Sequence, residues 1–248
     1  MKAILKRILH FILGINRFLY YFSLYKIRTL KKDKKEGDLY LFIDTLKNSE
    51  NYKDKTGLIL DIGANIGITS GVLGKETDLK IHAYEPLKLN YEVLEKVIQK
   101  QGLGTRVSIF KKALGNYRGE CEMILPVVDS VKMHGLSHVV DPNIKEFNEG
   151  HNVDHIPIDL LDNIYKEQKV TGIKMDVENY EYQVLLGAEK LLKEQKPIVY
   201  IELWDNENRL NCFDFLRKLN YKSYHNVKGT LKPFENNETQ TQNFIFMV

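Results

Sequence analysis

The chain has 248 residues, 43% of them hydrophobic and 28% charged, which suits one globular domain with at most a short appendage. Cys121 and Cys212 stand far apart, with no CxxC pattern and no His at ligand spacing, which excludes a structural zinc site or disulfide framework and suits a reducing, cytoplasmic setting. The net charge of +3 hides an asymmetry: residues 1–35 hold ten Lys or Arg against Asp33 alone, giving +9 there and −6 over the rest, so the main domain has no general nucleic-acid-binding character.

Residues 1–30 alternate apolar clusters (Ile4-Leu5, Ile8-Leu9, Phe11 to Leu13, Phe18 to Phe22) with Lys6, Arg7, Arg17 and Lys26. The uncharged runs are shorter than the roughly 18–20 residues of a membrane span, and bridging them across Arg17 costs about 2.5–3.5 kcal/mol. No small-residue cleavage site follows, so a signal peptide is not expected. Two readings stay open: helices that pack on the domain, or an interfacial helix held at an anionic membrane by its basic face and the Lys31–Lys35 cluster. Residues 1–50 are read as a helical, basic appendage with peripheral membrane contact through 1–35 as one of its uses, and the main domain as 51–248.

From there strands and helices alternate. Leu58-Ile59-Leu60 runs into Asp61 and a turn with Gly63, Ala64, Asn65 and Gly67, then an amphipathic helix from Ile68. A strand over 80–86 ends at Glu85, a helix follows over 87–100, and a third strand is expected over 107–114. Residues 116–170 break this rhythm and are read as an insertion over the sheet edge, covering the substrate site. Strands over 172–177 and 197–203 flank a single helix over 181–194. A helix over 208–219 and strands over 221–225 and 243–248 close the chain. The alternation predicts an α/β fold with a mostly parallel, doubly wound sheet and an antiparallel strand at or near one edge.

The turn Asp61-Ile-Gly63-Ala-Asn65-Ile-Gly67 lacks the Gly-x-Gly step that admits a pyrophosphate. Backbone at Gly63 can still approach a ligand, and the helix start near Gly67 favours a carboxylate. S-adenosylmethionine (SAM), with a methionine carboxylate and a ribose but no phosphate, fits that description, and Glu85 ends the next strand where an acid can accept from both ribose hydroxyls.

The combination LILDIGANIG, AYEP, IPIDLLD, IKMDVENYEYQVLLGAEKLL and PIVYIEL resembles the FkbM-type SAM-dependent methyltransferases over roughly residues 56–205. The resemblance implies a Rossmann-like class I methyltransferase fold and O-methylation of a sugar, glycan or secondary metabolite. It implies that Asp61, Gly63, Ala64, Asn65, Gly67 and Glu85 line the SAM site, with Lys112 and Ala113 near the adenine. The family usually has Gly where this chain has Asn179, and Asn tolerates left-handed backbone better than most residues.

Asp176, Glu178 and Glu202 fall at the carboxyl ends of two strands, where open α/β sheets bind ligands. Methyl transfer to a hydroxyl needs a proton acceptor within reach; alternatively these acids, through waters, hold Mg²⁺. Each also reads as an ordinary strand-end charge or helix cap. In the insertion His134, Ser137 and His138 are further candidates, His138 foremost as a base, with His151 and His155 behind them and no His spacing for a metal site. Trp204 reads as core or pocket wall, or as a stacking surface for a sugar. The expected activity is thus SAM-dependent O-methyl transfer, with an NAD-dependent oxidoreductase and a catalytically silent SAM-binding scaffold as alternatives.

Overall fold

The computed structural model describes residues 14–32, 37–53, 55–125, 127–128, 131–132, 138–139, 152–235 and 241–248, the pieces between 124 and 139 and residues 152–153 as backbone alone. Helix α1 (Ile15–Thr29) and helix α2 (Gly37–Asn48) precede strand β1 (Leu58–Ile62), helix α3 (Ile68–Glu76), β2 (Lys80–Tyr84), helix α4 (Lys88–Lys100) and β3 (Val107–Phe110). Five strands of the insertion region are β5 (Gly119–Leu125), β6 (Val127–Val128), β7 (Val131–Lys132), β8 (His138–Val139) and β9 (Asn152–Asp159), with β4 (Ala113–Leu114) just before them. The chain continues through β10 (Val170–Met175), α5 (Glu181–Leu186), α6 (Glu189–Gln195), β11 (Ile198–Glu202), α7 (Glu207–Lys218), β12 (Lys222–Val227), β13 (Thr230–Pro233) and β14 (Asn243–Met247).

The main sheet runs β13-β12-β14-β11-β10-β1-β2-β3. Strands β3, β2, β1, β10 and β11 are mutually parallel, and β14 is antiparallel to both β11 and β12. Sequence order reverses between β1 and β10, which makes their carboxyl ends the switch point where such sheets open a ligand crevice. The final strand therefore enters the sheet between β11 and β12, one place further in than a terminal hairpin would set it, and β13, not anticipated from the sequence, forms the edge.

Strand β1 is buried along its whole length, as a strand covered on both faces must be. Its period-two alternation divides the core. Leu58, Leu60 and Ile62 join the layer of α5, α6, α7 and the second sheet, while Ile59 joins α1 to α4. Helix α2 lies over β10 because Gly172 has no side chain: a Cβ there would sit 2.7 Å from Leu46 Cδ2. Helix α1 lies on α3 by the same device, with Ile27 Cδ1 2.6 Å from the position a Cβ would take on Gly71. The Ser23 hydroxyl, fully buried, donates to the Ile66 carbonyl at 2.9 Å and ties α1 to the glycine turn. Residues 1–13 and 33–36, including Asp33, Lys34 and Lys35, lie outside the described residues.

Two expectations change in detail. The strand expected over 107–114 divides: β3 pairs with β2, whereas β4 pairs with β9 in a second sheet ordered β4-β9-β5-β8. Cys121, Met123, Ile156 and Ile158 carry that sheet into the shared core. The helix expected over 181–194 breaks at Gly187. Its carbonyl accepts from the Asp162 N–H at 2.9 Å, and the Asp162 carboxylate caps the new helix by accepting from Lys190 N–H (3.0 Å) and Leu191 N–H (2.8 Å).

Candidate active site

The glycine turn is shaped by what lies behind it. Gly63, Asn65 and Gly67 all have positive φ, at 75°, 48° and 83°. Gly63 is required twice over, because a Cβ there would stand 1.8 Å from the Asp176 carbonyl oxygen. The turn after β1 thus packs directly against the turn after β10. Gly63 N–H and Ala64 N–H donate to the Tyr84 carbonyl at 3.1 and 2.9 Å, which fixes the turn to the end of β2.

Glu85 follows β2 at the floor of the crevice. Its Oε2 accepts from Asn65 N–H at 2.8 Å, and its Oε1 accepts from Leu87 N–H at 3.0 Å and Asn90 Nδ2 at 3.5 Å. Burial pushes the carboxyl up to about 7, while these donors and Lys174 pull the other way. The Asn90 Oδ1 beside it is buried and has no partner.

Beneath the crevice lies an ion cluster that sequence reasoning passed over. Lys174 interrupts the apolar run of β10, 6% exposed, and stands in register with Asp61 on β1. Its ammonium donates to the Gly63 carbonyl at 3.0 Å and lies 3.4 Å from Asp61 Oδ1 and 3.8 Å from Asp176 Oδ2. Burial disfavours the charge, but Asp61, Asp176 and Glu202 outweigh it and hold the ammonium above the ordinary lysine range. Asp61 also accepts from the Ser70 hydroxyl.

The acidic turn after β10 is the fourth part. Glu178 and Asn179 are both left-handed, at φ 52° and 74°, a backbone shape that Asn tolerates better than most residues. Glu181 organises the turn from below: its carboxylate accepts from Val177 N–H (3.1 Å), Asn179 N–H (3.2 Å) and Asn208 Nδ2 (2.6 Å). Asn206 Nδ2 donates to Asn179 Oδ1 at 2.7 Å. Glu178 is half-buried among Asp176, Glu202 and Glu181; burial, then these like charges, push its carboxyl up to about 7 against the pull of Lys174.

These parts enclose one crevice, open to solvent at its mouth, at the carboxyl ends of β1, β2 and β10. Of the expected residues, Gly63, Asn65, Glu85, Lys112, Ala113, Asp176 and Glu178 line it, with Tyr84, Leu87, Asn90, Met123 and Tyr180 among the rest. Asp61 and Ala64 are sealed behind the turn, and Gly67 receives Leu94 of α4 against its Cα. Glu202 is half-buried and acts on the site through its field at Lys174 and Glu178. Lys112 is turned toward Asp159, at 3.4 Å. The Tyr84 hydroxyl shares a hydrogen bond with Tyr165 at 2.7 Å, and Tyr165 another with His82 Nδ1 at 2.8 Å, which locks the Tyr84 ring.

Trp204 is 43% exposed and outside the crevice lining. His155 is exposed on β9. His138 is described only as backbone, paired with Ile124, and His134, Ser137 and His151 lie outside the described residues. Among the described residues no group of three or more His, Cys, Asp or Glu side chains is arranged to hold a metal ion, so the Mg²⁺ alternative gains no support.

The crevice fits a nucleoside-bearing ligand without a phosphate. It offers an anchored carboxyl at the end of β2, an orphaned buried amide oxygen and a glycine turn, and among the described residues its one lining cation is Lys112, already engaged by Asp159. The Methyltransferase FkbM domain profile matches residues 61–224, more than half of the chain. The chain belongs to the FkbM methyltransferase family, whose members use SAM. No curated protein matches the sequence. Among solved structures, it resembles the methyltransferase FkbM from Methylobacillus flagellatus KT at 18% identity and a TM-score of 0.53, over 78% of this chain and 44% of that one. It spans, then, less than half the length of that relative. A SAM-dependent O-methyltransferase from Thermotoga maritima aligns at 16% identity and a TM-score of 0.48, over 90% of this chain and 69% of the other. The fold is that of Rossmann-like class I methyltransferases, and the family match displaces the oxidoreductase alternative.

Proposed function

We propose that this chain is a SAM-dependent O-methyltransferase acting on a hydroxyl of a sugar, glycan or secondary metabolite. SAM bound in the crevice supplies a methyl group activated by its sulfonium, which an acceptor oxygen can take as its proton leaves. Gly63, Asn65 and Glu85 would hold the cofactor, with Glu85 accepting from the ribose hydroxyls in its ionised form and Asn90 Oδ1 accepting beside it.

The observation that carries the choice of oxygen is the carboxyl of Glu178. A hydroxyl is a weak nucleophile until its proton is taken, whereas an uncharged amine already attacks through its lone pair. A proton acceptor with its pKa near the working pH is therefore what oxygen methylation needs. Glu178 is held up to about 7 at the crevice wall, and Asp176, beside it, is fixed by Lys174 to accept a hydrogen bond from the incoming hydroxyl. Lys174 itself is a positioning residue, since it is buried beneath these groups.

The test is incubation of the purified protein with methyl-labelled SAM and a panel of glycosides, free sugars, phenols and amines, followed by mass spectrometry of the products. The proposal expects label on an oxygen of a hydroxyl acceptor. Label on nitrogen alone, or S-adenosylhomocysteine released without any methylated oxygen, contradicts it.

A further inference from the structure

Helix α1 has two unlike faces. Phe18, Ser23, Leu24 and Ile27 are buried, and the helix packs against α3 and α4. On the outer face Arg17, Tyr21, Tyr25 and Arg28 follow one another at spacings of four, four and three, which aligns them in one row. Tyr21 is 58% exposed, Tyr25 63% and Phe22, beside them, 36%; together they are three of the seven large apolar or aromatic side chains so exposed among the described residues. The row is aromatic at its centre and cationic at both ends.

Beside that row a groove opens between α1 and α4. It is lined by Asn16, Arg17, Tyr20, Tyr21, Lys96, Gln99 and Lys100. Among the described residues three cations and two phenol rings line it, and no carboxylate does. Residues 14–32 contain no acidic residue at all.

We propose that this face of α1 seats the protein on an anionic lipid bilayer, with the aromatic row in the interfacial layer and lipid phosphates in the Arg17–Lys96–Lys100 groove. Tyr rings favour the bilayer interface, where the apolar body is buried and the hydroxyl stays wet. Cations ranged on either side match the negative surface potential of such a membrane. A second copy of this chain is disfavoured as the occupant, because pairing two such faces brings like charges together at both ends of the row. The geometry is that of a helix lying on the membrane, and no described helix is long and apolar enough to cross one. The proposal stands apart from the methyl-transfer reading: it uses none of the crevice residues.

The experiment is sedimentation of the full chain with phosphatidylcholine vesicles, with and without phosphatidylglycerol, at low and high salt. Wild-type protein is expected to pellet with the anionic vesicles at low salt, to be released by salt, and to leave neutral vesicles largely alone. Arg17→Gln/Arg28→Gln is expected to lower partitioning on the order of twentyfold, about fivefold per charge. Tyr21→Ser/Tyr25→Ser, which leaves the buried face of α1 intact, is expected to lower it at least about tenfold. A circular-dichroism melt equal to wild type shows that each variant is folded. Equal pelleting with neutral and anionic vesicles overturns the proposal. So does undiminished pelleting of both folded double variants, or no pelleting of wild type. Self-association that depends on Tyr21 and Tyr25 without vesicle binding overturns it as well.

Discussion

Asp61 and Lys174 stand opposite one another in register on neighbouring parallel strands, 3.4 Å apart and buried beneath the crevice. The pair joins the turn that shapes the proposed cofactor site to the turn that carries the proposed base. Lys174→Met removes the cation and leaves Asp61 charged and buried, with the Ser70 hydroxyl as its remaining side-chain partner. Breaking such a pair costs about 3–5 kcal/mol. Urea unfolding is expected to show that loss, and Asp61→Asn/Lys174→Met to recover a large part of it, since both charges are then gone.

With Glu85 as the proposed ribose acceptor, stability and cofactor affinity are expected to depend on pH in opposite directions. Its carboxyl is at about 7 in the fold against 4.5 unfolded. The folded state therefore binds more protons between these values, and stability falls as pH rises through that window, by on the order of 3 kcal/mol. SAM affinity should rise over the same window as the carboxylate forms. Glu85→Gln is expected to flatten the stability profile and weaken SAM at least about tenfold, as one charged hydrogen-bond acceptor is lost. Denaturation and calorimetry at several pH values check both.

Glu178 and Asp176 should separate by pH profile. Glu178→Gln is expected to lower turnover by about 10²–10⁴-fold and to abolish the rising limb near neutral pH, with SAM affinity little changed. Asp176→Asn is expected to lower turnover with the rising limb kept, because Glu178 still titrates. Steady-state rates across pH at saturating SAM, which removes the Glu85 effect on affinity, distinguish the two; an unchanged limb in Glu178→Gln removes this residue from the proton-transfer role.

Gly63→Ala is the sharpest backbone test. The added methyl meets the Asp176 carbonyl at 1.8 Å and the residue must also keep φ at 75°. Left-handed strain and overpacking together cost about 2–5 kcal/mol. A thermal melt should show the loss, with SAM binding lost alongside it, because both turns shift together.

Much of this was legible in the sequence because its signals are local. An apolar strand meeting DIGANIG, an acid closing the next strand and DVEN after a third give the parallel sheet and most of the crevice wall. The family resemblance puts Asp61 among the lining residues, yet period-two alternation turns it inward to meet Ser70 and Lys174. Lys174 carried a signal that went unused: a cation inside an otherwise apolar central strand must find a carboxylate on a neighbouring strand. The break at Gly187 and the transfer of Ala113–Leu114 to a second sheet depend on Asp162 and Asp159, each more than 20 residues away in sequence, and no local pattern announces them.

The central claim is that the crevice between Gly63, Glu85 and Asp176 binds SAM. Titration calorimetry of the purified protein with S-adenosylhomocysteine, above neutral pH, tests it most directly. One site per chain, weakened by Glu85→Gln and with no comparable heat for NAD, is the predicted result. Absence of binding by both S-adenosylhomocysteine and SAM to folded protein contradicts it.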